Sequence, residues 1–250
     1  MSKELVKAQE QEMMKVGQAP RGYEEDDADQ LIIPRVKLIQ STSPERKSKV
    51  ADEGDLLNSL TQEKLNGMKF IPVFKYTSNI KWKDRSLGGG IECMAKDGRQ
   101  GSTADGECTA CSACKLYLFD NTRKGKEAQP LCTQYINFFG FFEGTRVPII
   151  LSFSKTYFNE GKKLLSMCKF TMKDMWLHKY NITSKLVAKN DNEWYIITTS
   201  PAGKTSEEDA EFAESLFESF SPGMLNVELE DSAPVTESSI SIDEDMASEI

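Results

Sequence analysis

Residues 68–82 read MKFIPVFKYTSNIKW, a run rich in β-branched and aromatic side chains that predicts a strand. Six more segments share its character: LIIPRVKLIQ (31–40), TQYINFFGFF (133–142), VPIILSFSK (147–155), KFTMKDMWLH (169–178), NITSKLVAKN (181–190) and EWYIITTS (193–200). Several alternate apolar with polar residues, as in Lys169, Phe170, Thr171, Met172, Lys173, and clusters of Gly, Asn, Asp and Ser separate them. The pattern predicts a mainly β body with α as the minor part: a curved antiparallel sheet, a small barrel or a sandwich. Two helices interrupt it. FNEGKKLLSMCKF (158–170) offers Asn159 as N-cap and sets Leu164, Leu165 and Cys168 on one face. Residues 207–220 place Phe212, Leu216, Phe217 and Phe220 on another, with Pro222 and Gly223 as a stop signal.

The 250 residues carry 39 Asp and Glu against 31 Lys and Arg, but the charge is divided along the chain. Residues 206–250 hold 14 acids and no Lys or Arg; residues 1–30 have a net charge of −4; the 31–205 body is left at +10. A basic body of that charge attracts polyanions, and an acidic tail can compete for the same surface. The expected organisation is an N-terminal arm (1–30), helical over 3–16 and then acidic, followed by the body (31–205) with an insertion at 86–132. An amphipathic helix (206–222) and a Ser-rich acidic tail (223–250), expected to be disordered, complete it. No run approaches the roughly 18 to 20 apolar residues of a membrane span, and MSKELVKAQEQEMM has no signal-peptide character, so the expectation is a soluble, cytoplasmic protein with no membrane partner.

Five of the six cysteines, Cys93, Cys108, Cys111, Cys114 and Cys132, fall within 40 residues. In a reducing compartment they read as thiols or metal ligands. Cys93-x17-Cys111-x2-Cys114-x17-Cys132 is a workable four-thiolate set for a structural Zn2+: two thiolates from one tight turn and two from neighbouring strands, with Cys108 as a substitute for Cys111 or Cys114. The polar, Gly-rich sequence around them has little to bury and needs such a clasp. Four thiolates leave no open position for catalysis, and the single histidine, His178, is expected to be structural. Cys168 is expected to be a small buried hydrophobe.

FKYTSNIKWKDR interleaves cations and rings: Lys75, Tyr76, Lys81, Trp82, Lys83 and Arg85. That combination suits a single-stranded nucleic acid, whose phosphates need cations and whose unstacked bases need flat partners. Tyr135, Phe138, Phe139, Phe141 and Phe142 form a second aromatic run, in which alternation divides Phe139 and Phe141 from Phe138 and Phe142 and assigns most to the core. Lys155, Lys162 and Lys163 bracket Tyr157 and Phe158.

These features, with IPRVKLIQSTSPE (33–45), GDLLNSLT (54–61) and MKFIPVFKYTSNIKW (68–82), resemble the single-stranded DNA-binding proteins of tailed bacteriophages. The resemblance covers residues 31–170 and the tail. It implies an OB-like antiparallel barrel with an inserted zinc ribbon, and coating of ssDNA in phage DNA replication and recombination without catalysis. It also implies an acidic tail that competes with DNA and recruits polymerase, helicase or nuclease, with Asp243, Glu244, Asp245, Glu249 and Ile250 as the partner-binding end. A phage-encoded protein of this kind would work in the host bacterial cytoplasm. The tail departs from the pattern in lacking a terminal aromatic residue.

Two other function classes fit parts of the sequence. A zinc-ribbon protein–protein module regulating host RNA polymerase or another nucleic-acid enzyme would use the tail as a nucleic-acid mimic. A nuclease would need paired carboxylates, and Asp84, Glu92, Asp97, Asp105 and Glu107 stand mostly in the insertion at no recognisable spacing.

Overall fold

The computed structural model describes residues 32–84, 89–103, 106, 108–118, 130–189 and 192–220. The expected arm at 1–30 and the tail at 223–250 lie outside them.

The body is mainly β, and its named strands pair antiparallel. In chain order come β1 (Val36–Leu38), α1 (Pro44–Lys47), β2 (Leu56–Asn58), β3 (Lys69–Trp82), β4 (Ile91–Ala95), β5 (Gln100–Thr103) and β6 (Cys108–Ala110). There follow β7 (Thr133–Phe142), β8 (Pro148–Ser154), α2 (Phe158–Phe170), β9 (His178–Lys189), β10 (Asn192–Lys204) and α3 (Glu207–Ser219).

Strand β3 organises the sheet. One edge pairs with β7 from Phe70 opposite Phe142 to Ile80 opposite Thr133. The other edge is shared: β9 takes the start (Lys69 and Phe70), and β4 takes the end (Asn79 to Trp82). β7 continues to β8, β9 to β10, and β4 to the meander β5 and β6.

The register of β3 against β7 shifts between Pro72 and Phe74. Proline has no N–H to give a ladder, so a bulge is where a strand interior tolerates it. The bulge changes which side chains share a face. Ile71, Val73, Phe74 and Tyr76 all join one apolar cluster, although strict alternation would separate Val73 from Phe74. Opposite the bulge, Gly140 is required: a Cβ there would lie 2.2 Å from the Ile71 carbonyl oxygen.

Two clusters result. Phe70, Phe138, Phe142, Leu151, Phe153, Tyr180, Ile182 and Ile197 pack with Leu164 and Cys168 of α2 on one side. On the other, Ile71, Phe74, Phe139, Phe141 and Ile150 are covered by Ala213 and Leu216 of α3. Phe138, Phe139, Phe141 and Phe142 divide between the faces as alternation predicts, and all four are buried. α3 begins at its expected place, where the Ser206 hydroxyl accepts from the Asp209 amide. Phe212 packs on Phe141, Phe217 on Trp176 and Phe220 on Phe139, and Arg146 pairs with Glu208.

A closed barrel is not formed. β8 is joined to the β1 side by a parallel bridge between Arg35 and Ile150. From there to β10 the link is a side chain: the Gln40 amide donates to the Tyr195 carbonyl (2.8 Å) and accepts from the Tyr195 N–H (2.9 Å), acting as a single rung. Below this seam, α2 is tied to β10 by Glu160, which accepts from the Thr199 N–H at 3.1 Å.

Three local expectations are corrected. Residues 169–177 are not a strand, and only His178 of the expected segment belongs to one: Lys169 and Phe170 finish α2, Met172 turns the chain at φ 51°, and Met175–Leu177 is a 3-10 turn before β9. The alternation there was coincident with a helix end. The cap position of α2 is Tyr157 rather than Asn159, because a preceding 3-10 turn (Lys155–Tyr157) leads directly into the helix. The strand expected over 31–40 is only Val36–Leu38. Among the described residues no helix is long and apolar enough to cross a membrane.

Gln40→Ala should lower unfolding stability by about 2 kcal/mol, since both polar groups of Tyr195 lose their partner. Urea denaturation of the full chain checks this, and a loss under about 0.5 kcal/mol would mean the seam contributes nothing.

Candidate nucleic-acid interface

The cations and rings predicted from 75–85 do not form one row. Tyr76 points to the α3-covered face: it is 8% exposed, and burial pushes its hydroxyl up to about 12, against the opposing pull of the Arg35 charge. A base reaches this ring only if the packing over it opens. Lys75 lies opposite Phe138, on the α2 side, half-buried. Lys81 sits opposite Cys93, donates to the Trp82 carbonyl at 3.1 Å and pairs with Glu92 at 3.5 Å. Lys83 is exposed, its N–H bonded to the Gly90 carbonyl. Arg85 lies outside the described residues, as do Asp243, Glu244, Asp245, Glu249 and Ile250.

The fold adds partners that the sequence did not associate. Arg35, more than 40 positions before Tyr76, comes beside both Tyr76 and Tyr135, where its charge acts on each hydroxyl. Trp82 meets Tyr135 at the same edge; the Tyr135 hydroxyl, pushed up by burial, also meets Ser154. Between them runs a buried polar chain. Arg35 donates from Nη1 to Ser152 (3.1 Å), Ser152 to Asn137 Oδ1 (2.8 Å), and Asn137 Nδ2 to Ser78 (2.9 Å). Asn137 is fully buried, so this chain fixes the face where β3, β7 and β8 meet. The Arg35 charge thus acts on the Tyr76 and Tyr135 hydroxyls, and Trp82 meets Tyr135. Lys155, Lys162 and Lys163 stay apart: Lys162 lies over the Phe158 ring at 5.0 Å, and Lys163 pairs with Glu160.

The insertion brings four thiols near one another. Cys111 starts a 3-10 turn (Cys111–Ala113), the Cys114 N–H bonds back to the Cys111 carbonyl at 3.1 Å, and the Cys132 N–H bonds the Leu116 carbonyl at 2.9 Å. Cys93 enters from β4. Gly101 leaves room for the sulfurs: a Cβ there would lie 2.7 Å from Cys93 Sγ and 4.0 Å from Cys111 Sγ. Burial pushes the Cys132 thiol up to about 11, and Cys114, Cys93 and Cys111 add to that shift, while Lys81 opposes it. No disulfide joins the described cysteines. The four are neighbours, but among the described residues no three His, Cys, Asp or Glu are drawn into a finished coordination shell. Cys108 begins β6, and its side chain is outside those described. Cys168 is buried in the α2 cluster, as expected.

A family model described as Pam3 phage gp34-like protein matches residues 3–226. The chain belongs to this family. It is thereby a relative of a phage protein, and the match spans the whole described body of this gp34-like chain. No curated protein and no solved structure matches it.

In metal-free protein, Cys132 should react with iodoacetamide at pH 9 at least about tenfold more slowly than an unstructured cysteine peptide, because a thiol with its pKa near 11 is mostly protonated there. Peptide mass mapping of the alkylated chain checks this.

Proposed function

We propose that this gp34-like protein is a non-catalytic single-stranded DNA-binding protein that coats ssDNA during phage DNA replication and recombination in the host cytoplasm. The observation that carries the reading is the order of strand pairing. β3 pairs with β7 and β9, β7 with β8, and β9 with β10, with α2 between β8 and β9. We read that order as an OB-type, partly open five-stranded barrel, a fold in which the face of the second and third strands and two loops hold oligonucleotides. Here the corresponding face, β7 and β8, carries Tyr135 and the Asn137–Ser152 chain. The first of those loops corresponds to the cysteine insertion and the other to the β9–β10 connection. Arg35 meets phosphate in this reading, with Lys83 and Arg85 at the rim, while Trp82 and Tyr135 offer surfaces for bases.

The four thiols Cys93, Cys111, Cys114 and Cys132 are assigned to one structural Zn2+. The donor set is the one such sites use, and closure of the Cys111–Cys114 turn on Cys93 and Cys132 would complete it. Bound zinc would supply rigidity to the insertion, whose strands are short and half-exposed.

The acidic segment beyond α3 is assigned to partner recruitment and to competition with DNA. α3 itself carries six acids and no base, and its end at Phe220 rests on Phe139 of the sheet, so the segment starts from the β3–β7 face. Polymerase, helicase or nuclease are the partner classes implied.

Purified protein should bind oligo-dT with tryptophan quenching that falls steeply as salt rises, and duplex DNA far more weakly. Equal affinity for both, or none, would overturn the reading. Deleting residues 221–250 should tighten oligo-dT binding at low salt. Elemental analysis should find about one zinc per chain, lost in the Cys111→Ser, Cys114→Ser double variant.

A further inference from the structure

Where α2 ends, the surface departs from what a soluble domain ordinarily exposes. Phe170 is 82% exposed and Met172 93%, two large apolar side chains one residue apart, both flanked by exposed lysines, Lys169 and Lys173. Lys169 alone would be explained by its place in the last helical turn, where a cation complements the carbonyl ends. Phe170 and Met172 have no such explanation. The bend that presents them is fixed: Met172 holds a left-handed backbone, its N–H bonds the Lys169 carbonyl, and the Thr171 hydroxyl donates to the Cys168 carbonyl at 2.7 Å.

This knuckle lies beside β3. Lys75 stands opposite Phe138, whose cluster Cys168 closes from α2, and the Lys169 charge is near enough to disfavour the charged form of Lys75 alongside its burial. Two positions along the same face of β3, the β4–β5 turn closes over Thr77, with Asn79 Nδ2 donating to the Gly98 carbonyl at 3.0 Å. Among the described residues, Lys75, Lys169 and Lys173 make no ion pair. The nearby acids are occupied or at the margin: Asp97 accepts from the Arg99 and Gln100 N–H groups, and Asp174 stands before the Met175–Leu177 turn. Like charges held near one another with no ion-pair contact favour an anion, and an exposed ring beside them favours one that carries flat, apolar groups.

We infer that Phe170 and Met172, with Lys75, Lys169 and Lys173, form a second contact site for single-stranded nucleic acid, at the α2 knuckle and on the side of β3 away from Arg35 and Tyr76. Phe170 stacks a base, Met172 packs beside it, and the three lysines take adjacent phosphates. This rests on the single-strand-binding reading above and extends it: a strand leaving the β7–β8 face passes round the insertion end of β3 to reach the knuckle.

The test uses the full chain and 30-nucleotide oligo-dT. Phe170→Ala should weaken binding about fivefold or more, with an unchanged melting temperature because the side chain is exposed. The Lys169→Glu, Lys173→Glu pair should weaken it further and make the salt dependence shallower by one to two ion equivalents, roughly one per lost phosphate contact. Phe170→Trp should place a new fluorophore there that oligo-dT quenches and duplex DNA does not. If the unaltered protein binds oligo-dT and all three variants match it in affinity and salt slope, with no added quenching from Trp at 170, the knuckle site is overturned while the coating function stands. If the unaltered protein does not bind, both fall together.

Discussion

Everything in this body hangs on the crowding between β3 and β7 at Gly140. The Ile71 carbonyl approaches so closely that only a hydrogen fits at that position, and the neighbouring proline forces the ladder to slip by one residue. The slip puts Phe74 and Tyr76 on the same side as Ile71, beneath α3, and keeps Phe70 with the α2 cluster. A single 14-residue strand therefore serves two cores. Remove the bulge and the two faces of β3 exchange partners beyond residue 73, turning Ser78 away from Asn137 and Lys75 to the wrong side.

The same strand joins the apolar body to the thiol-bearing insertion. Its last residues, Asn79 to Trp82, pair with β4 on one edge while Asn79 and Ile80 pair with β7 on the other. The insertion is thus an extension of the main sheet, built with short strands and small residues such as Gly101. Its Cys93 is placed by the ladder, whereas Cys111 and Cys114 depend on a turn and Cys132 on a single hydrogen bond to Leu116. Position is inherited unequally among the four sulfurs.

The sequence disclosed some of this and hid the rest for physical reasons. β3, β7, β8 and the β9–β10 hairpin were legible because half-buried strands bear β-branched and aromatic residues, and α3 because its phenylalanines fall at helical spacing. Residues 169–178 were misread: Lys-Phe-Thr-Met-Lys alternates with period two, but Cys168, packed inward, holds Lys169 and Phe170 on the helix. The bulge could have been suspected from Pro72 inside an apolar run. Arg35 could not be associated with Tyr76, because that proximity is made by a strand bridge to Ile150, and nothing local to either residue signals it. The thiol spacing was readable, since two cysteines two residues apart define a turn by themselves.

The Gln40 seam has one more consequence. Ladders give way residue by residue, whereas this link is one amide group that rotates about its own side-chain bonds. The edges near β1 and β10 can part and rejoin while both flanking hairpins keep all their rungs, so amide exchange at Tyr195 would follow a local opening rather than global unfolding. A seam held by a latch instead of a weld opens without disturbing the strands on either side of it.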